Sequence, residues 1–301
     1  MHCAPCIDRR EARPWPLARP VGMRRPFAQV DVFGQTPLLG NPVAVVLDAE
    51  GIAEEQMRRF ARWTNLSETT FVLPPTDPSA DYRVRIFTPD EELSFAGHPT
   101  LGTCHAWLEV ARAAGVTAPD AEVSQECGAG LVTIRLGPQG LAFQAPPLVR
   151  SGPVDEELLR RVASMLRIAR GEVVDAQWVD NGPGWVAVLL RDAASVLALS
   201  PGALDLPVGA VGPHPAGAPE AFEVRAFLPG PTGTWEDPVT GSLNASLAQW
   251  LTGSGRAGSA YVASQGGALG RRGRVQIERD GDGRIWVGGR TETLVAGEVE
   301  L

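Results

Sequence analysis

The chain has 301 residues, 44% hydrophobic and 21% charged, which suits one large domain or two of about 150 residues and a globular rather than disordered or fibrous class. A net charge of -8 gives no general attraction to nucleic acid or anionic lipid, so neither is expected as a partner, and no apolar run approaches the roughly 18 residues of a membrane span. All 27 basic residues are arginine, which excludes a pyridoxal-phosphate or aldolase Schiff base, a Walker A loop and a kinase lysine.

Residues 1–22 carry Pro5, Pro14, Pro16 and Pro20 with almost no periodicity and are expected to be a disordered leader, with Met23 as an alternative start. The leader lacks the apolar core of a secretory signal, so a cytoplasmic location is expected. Cys3 and Cys6 have half of a zinc-site spacing, but no second pair follows.

Strands are predicted at Phe27–Phe33, Val43–Leu47, Phe71–Leu73 and Tyr82–Phe87, with a helix over Ala53–Thr64. A second helix is predicted over Pro99–Ala113, where Pro99 suits the first turn, and a third over Asp155–Ile168. Further strands follow at Val173–Val179, Trp185–Leu190, Glu223–Phe227, Val275–Glu278 and Ile285–Val287, with a helix over Ser242–Leu251. The fold class is α+β with strands dominant.

The chain repeats itself. Val84-Arg-Ile-Phe87-Thr-Pro89 recurs as Val224-Arg-Ala-Phe227-Leu-Pro229, an offset of 140, and each copy leads through a glycine-bearing loop into a helix. Related halves place equivalent loops at their interface, where two helix N-termini with free N–H groups and positive dipole ends can hold a carboxylate without a lysine. The halves are expected at residues 23–120, joined by a last strand near 292–301, and at 121–291.

Glu68, in Asn65-Leu-Ser-Glu68-Thr-Thr-Phe71, stands among hydroxylic residues and enters an apolar strand. It reads either as a loop acid or cap, or as a general acid/base whose pKa is raised by burial. Aligning Asn65 with Asn181 finds no acid in Asn181-Gly-Pro-Gly184, which favours a single base over the two opposed bases of a racemase. His98, before Pro99, is expected to be neutral at a helix start and to bond a substrate oxygen or relay a proton; a core or capping histidine is the alternative. Asp237 reads as a helix cap or as the acceptor of a substrate hydroxyl or amino hydrogen, and Ser242 has N-cap character, with Gly241 beside it as a donor. His105 reads as structural. The Gly182-Pro-Gly184 stretch enters a strand, so it is a poor dinucleotide fingerprint, and no G-x-S-x-G elbow is present.

Gly40-Asn41-Pro42-Val43-Ala44-Val45, Asn65 to Phe71, Phe87-Thr-Pro89, Phe95-Ala-Gly97-His98-Pro99-Thr100 and Glu236-Asp237-Pro238-Val239-Thr240-Gly241-Ser242 stand in an order that resembles the phenazine-biosynthesis PhzF-like isomerases, within the diaminopimelate-epimerase-like fold. The resemblance spans about residues 27–301. It implies two pseudo-symmetric halves, each a curved, mostly antiparallel sheet or open barrel around a central helix, with the site between them, no cofactor or metal, and a homodimer. It further implies Glu68 as the acid/base and His98, Asp237, Ser242, Gly97 and Gly241 as substrate-binding residues. The expected activity is an isomerisation by proton abstraction and return, a 1,3-type shift, on a small carboxylic acid. A racemase or a non-catalytic small-molecule-binding protein is the alternative. Cys104 and Cys127 lie outside both helix-start loops, which argues against a thiol racemase.

Overall fold

The structure is a computed structural model that describes residues 24–115, 119, 121–230 and 233–301. The expected disordered leader, with Cys3 and Cys6, lies outside the described residues.

The first series of elements is β1 (Arg24–Val32), β2 (Asn41–Val46), α1 (Glu54–Thr64), β3 (Glu68–Leu73), β4 (Tyr82–Phe87), β5 (Glu92–Leu93), α2 (Gly97–Ala113), β6 (Glu122–Cys127), β7 (Gly130–Gly137) and β8 (Gly140–Gln144). After β9 (Arg150–Pro153) and α3 (Glu156–Leu166) the second series follows. It comprises β10 (Val173–Asp180), β11 (Val186–Leu190), α4 (Ala193–Leu197), β12 (Val208–Pro213), β13 (Phe222–Leu228), β14 (Trp235–Asp237), α5 (Gly241–Gly253), β15 (Ala260–Gln265), β16 (Gly273–Arg279) and β17 (Ile285–Gly289), before the last strand β18 (Thr291–Glu300).

The two series pair in the same way. β1–β2 is antiparallel, β2–β3 parallel, β3–β4 antiparallel, β4–β6 parallel, and β6–β7–β8 antiparallel. The sequence β10–β11–β12–β13–β15–β16–β17 repeats those senses in order. β5 hooks onto β4 as β14 hooks onto β13. β8 pairs with β17, joining the halves edge to edge about a pseudo-twofold axis. The pairings carry the first series through β8, beyond residue 120. β9 caps β10, and β18 returns across the molecule to cap β1.

Amphipathicity separates the helices. α1 buries one stripe, Met57, Phe60 and Ala61, and leaves its charged face to solvent. α2 and α5 carry small or apolar residues nearly all round and are buried over most of their length, as a helix enclosed by a curved sheet requires. Leu101, Cys104 and Leu108 of α2 and Leu243, Leu247 and Leu251 of α5 share one core that includes residues of both halves. Burying each such leucine stabilises by about 2 kcal/mol.

The polar ties also repeat. Gln125 of β6 donates to Thr100 Oγ1 of α2 at 3.0 Å, and Gln265 of β15 accepts from Asn244 of α5 at 2.9 Å. Arg85 grips Glu92 with two bonds of 2.7 and 2.6 Å, and Arg225 grips Glu236 with two of 2.8 and 2.7 Å. These pairs fix β5 and β14, and so the loops that enter the central helices.

Candidate functional site

The N-termini of α2 and α5 meet head to head. A Cβ on Gly97 would lie 2.7 Å from the Cα of Gly241, and a Cβ on Gly241 would lie 2.7 Å from the Cα of Gly97. No other residue type permits that approach. The N-caps, Ala96 and Thr240, make no side-chain cap, so first-turn N–H groups and two positive dipole ends converge on one point. Ser242 is therefore the second residue inside α5 rather than its N-cap. Nor is Asp237 a cap, because its carboxylate is turned to Asn41 and Thr240.

Four polar side chains gather on the α2 side of this junction. His98, the second residue of α2, has a side chain 3% exposed, and its Nε2 lies 3.1 Å from Oε2 of Glu68, whose side chain is 12% exposed. Close as they are, the two atoms are not aligned for a hydrogen bond, and neither has another partner among the described residues. Asn41, wholly buried at the start of β2, donates from Nδ2 to Asp237 Oδ1 and to the Val239 carbonyl, both at 3.0 Å, and lies 3.2 Å from His98 Nδ1. Thr240 Oγ1 donates to Asp237 Oδ2 at 2.6 Å, and Gln265 Nε2 donates in turn to Thr240 Oγ1 at 2.9 Å and to the Asp237 carbonyl at 3.0 Å.

Burial sets the protonation states. It drives the His98 pKa down to about 3, opposed only in part by the Pro42 carbonyl, so the imidazole is neutral. Burial, and then the charge of Asp237, push Glu68 well above the ordinary carboxylate range. Asp237 is itself raised to about 6 by burial, against the bonds from Thr240 and Asn41 that favour its charged form. The Glu68–His98 contact is thus a neutral imidazole beside a carboxyl of raised pKa, not an ion pair.

The α5 side of the junction is different in kind. Phe87 pairs with Thr69 and Phe227 with Val208, so the twofold counterpart of Glu68 is Pro207. The loop containing Asn181 precedes β11 and corresponds to the loop before Asn41, which corrects the expected alignment of Asn65 with Asn181. The counterpart of Asp237 is Leu93, since Ile86 pairs with Leu93 as Ala226 pairs with Asp237. Asp31 accepts from the Gly40 N–H, and Asp180 from the Gly184 N–H. The residue following each glycine, Asn41 or Trp185, reaches the second residue of a central helix. Trp185 Nε1 donates to Ser242 Oγ at 3.3 Å.

His105 sits apart, bonded to Thr291 at 2.9 Å and beside Glu109. Cys104 is buried with its pKa pushed up to about 12, and Cys127 is raised in the same direction by burial, so neither is a ready thiolate. Among the described residues, no three His, Cys, Asp or Glu side chains are grouped to hold a metal ion, and no helix is long and apolar enough to cross a membrane. Reading the residues missed Asn41, Thr240, Gln265 and Trp185. A polar Asn between Gly40 and Pro42 at the mouth of an apolar strand was the one available signal.

The family model for phenazine biosynthesis-like proteins matches residues 30–297. The chain belongs to this PhzF family of isomerases. It is 35% identical over 263 residues to the trans-2,3-dihydro-3-hydroxyanthranilate isomerase of Pseudomonas aeruginosa, covering 85% of this chain and 91% of that one. It is 34% identical over 295 residues to antisense-enhancing sequence 1 of Schizosaccharomyces pombe, covering 90% and 97%. A PhzF-family crystal structure from Bacillus anthracis superposes with a TM-score of 0.75 at 22% identity, over 93% of this chain and all of that one. The two-halved α+β architecture of that fold is the one described above.

Proposed function

We propose that this chain is a cofactor-independent isomerase in which Glu68 carries a proton from one carbon of a small unsaturated carboxylic acid to another. The observation that carries the reading is the asymmetry of the junction. A buried carboxyl beside a neutral imidazole lies on one side, and Pro207 and Leu93 stand at the positions where a second proton carrier would face it.

The substrate carboxylate docks against the helix starts, where Gly97 and Gly241 leave the backbone N–H groups uncovered and Ser242 adds a hydroxyl. Asp237, held by Asn41 and Thr240, receives an amino or hydroxyl hydrogen of the substrate. Glu68 as carboxylate takes a proton from carbon, and the electron pair of the broken C–H bond moves into the conjugated system. The resulting enolate-like charge is stabilised by the dipole ends. Glu68, now a carboxylic acid whose proton exchanges with solvent, returns a proton to the conjugated carbon, so no atom is gained or lost. Burial raises the basicity of Glu68, and the neutral His98 orients its carboxyl. A general base supplies about 10² to 10⁴-fold; preorganised donors supply the rest.

The test is Glu68→Gln, assayed with trans-2,3-dihydro-3-hydroxyanthranilate, the substrate named for the Pseudomonas relative, and with other small unsaturated amino and hydroxy acids, in deuterium oxide. The variant should fold and bind as before while deuterium incorporation and turnover fall at least about 10²-fold. Retained exchange removes the role. Label delivered to both faces of one carbon would instead favour a racemase.

A further inference from the structure

Asn41, the first residue of β2, and Trp185, the residue just before β11, each contact the second residue of a central helix. Asn41 lies against His98, and Trp185 donates its indole N–H to Ser242 Oγ. Trp185 is 1% exposed and Ser242 9%, so the geometry of both is fixed by packing.

An indole N–H is a donor only, whereas a serine hydroxyl has one proton and two acceptor positions. The indole fills one acceptor position, so the hydroxyl proton cannot point towards it. Among the described residues Ser242 Oγ accepts this bond and donates none, and Ser242 sits in the first turn of α5, whose backbone N–H groups cannot accept. The Ser242 carbonyl is already engaged by Asn181 and Ser246.

We propose that Trp185 is a positioning residue that makes the Ser242 hydroxyl an obligate donor towards the junction of the helix starts, so that this side of the site selects an anionic oxygen, the carboxylate of the substrate. The role rests on the isomerase reading above only for the identity of the cleft. It divides the labour between the halves: the α2 side handles the proton, and the α5 side, through Trp185 and Ser242, anchors the charge.

The probes are anthranilate and its uncharged counterpart anthranilamide, titrated calorimetrically into the full chain. Trp185→Phe keeps a ring and removes the donor. Affinity for anthranilate should fall about tenfold, and affinity for anthranilamide should not change. Ser242→Ala should give the same selective loss, and Trp185→Phe added to Ser242→Ala should cost nothing more. An undiminished loss in the Ser242→Ala background marks Trp185 as a packing residue and overturns the proposal, as does the absence of any loss. A chain that binds both probes equally, or neither, has no carboxylate pole at α5 and overturns it too.

Because Trp185 is buried, a second measurement uses the chain with its tryptophans intact and ¹⁵N-labelled. One indole N–H resonance should move when Ser242→Ala removes its acceptor, and the same resonance should respond to anthranilate. If no indole signal responds to Ser242→Ala, the proposal fails without any Trp185 variant. Failure of this coupling in a chain that still exchanges solvent deuterium leaves the isomerase reading intact. Coupling in a chain whose Glu68→Gln variant still exchanges deuterium removes that reading and leaves Trp185 its role.

Discussion

Glu68 Oε2 and His98 Nε2 stand 3.1 Å apart, each buried and, among the described residues, each without a hydrogen-bond partner. Unpaired polar atoms in such a place cost about 1 to 3 kcal/mol each, and a site retains that cost when a ligand or a moving proton is to use it. His98→Asn keeps a neutral polar side chain but removes the ring nitrogen facing Glu68. Turnover should fall about 10²-fold with little change in melting temperature, checked by deuterium incorporation and by thermal unfolding. Full activity would leave His98 a packing residue.

Asp237 governs the titration of its neighbour. Its negative charge is the second cause, after burial, of the raised Glu68 pKa, so neutralising it in Asp237→Asn should lower the Glu68 pKa. Turnover requires ionised Glu68, so the acid limb of the pH profile of kcat should move to lower pH in the variant. KM should rise as the partner for the substrate's amino or hydroxyl hydrogen is lost. A limb that stays in place, or moves to higher pH, would mean that the two carboxyls do not titrate together.

The helix starts were legible in the chain because the residues that make them are local: Gly97-His98-Pro99 and Gly241-Ser242 each follow a repeated strand and precede a run of small and apolar residues. Both helices begin earlier than the apolar spacing indicated, at Gly97 rather than Pro99 and at Gly241 rather than Ser242, since a glycine carries no hydrophobic signal. β6 to β9 went unread: Glu122–Cys127 alternates polar and apolar only weakly, and Arg150–Pro153 is mostly exposed. α4, a single short turn of Ala193–Leu197, is below the length at which periodicity speaks. Asn41 and Trp185 could not be placed, because their partners lie on distant segments and only strand pairing brings them together. The mismatch of Asn65 with Asn181 has the same origin: a shared asparagine near a tryptophan outweighed the order of strands.

Acid should loosen this fold through His98. Its pKa is about 3 in the folded chain, against an ordinary value of 6.5, so between those limits the unfolded chain holds one proton more than the folded one. Stability is therefore fully present above about pH 6.5 and declines as pH falls towards 3, by about 1.4 kcal/mol per pH unit for one proton. Glu68 works in the opposite sense, because its raised pKa favours the folded chain at low pH and withdraws that support as pH rises through the folded value. His98→Asn should flatten the urea-denaturation stability curve between pH 6.5 and 4 relative to the unaltered chain. Parallel curves would show that the ring is protonated, or hydrated, in the folded state.

The contact of Gly97 with Gly241 makes the two halves one mechanical unit, and a single methyl group tests it. In Gly241→Ala the new Cβ meets the Gly97 Cα at 2.7 Å, its carbonyl carbon at 3.0 Å and the His98 nitrogen at 3.1 Å. These are backbone atoms at the first turn of a buried helix and cannot rotate away as a side chain would. Overpacking of this kind costs about 1 to 3 kcal/mol, partly offset by the lower conformational entropy of an unfolded chain with alanine in place of glycine. The larger expected effect is on the site, because α2 can relieve the contact only by drawing its start, and His98 with it, away from α5. Gly241→Ala should therefore lose more in turnover, about 10² or beyond, than its change in urea midpoint accounts for, and Gly97→Ala should match it from the other half. Loss of activity only in proportion to loss of folded protein would mean that the helix starts part without disturbing Glu68 and His98.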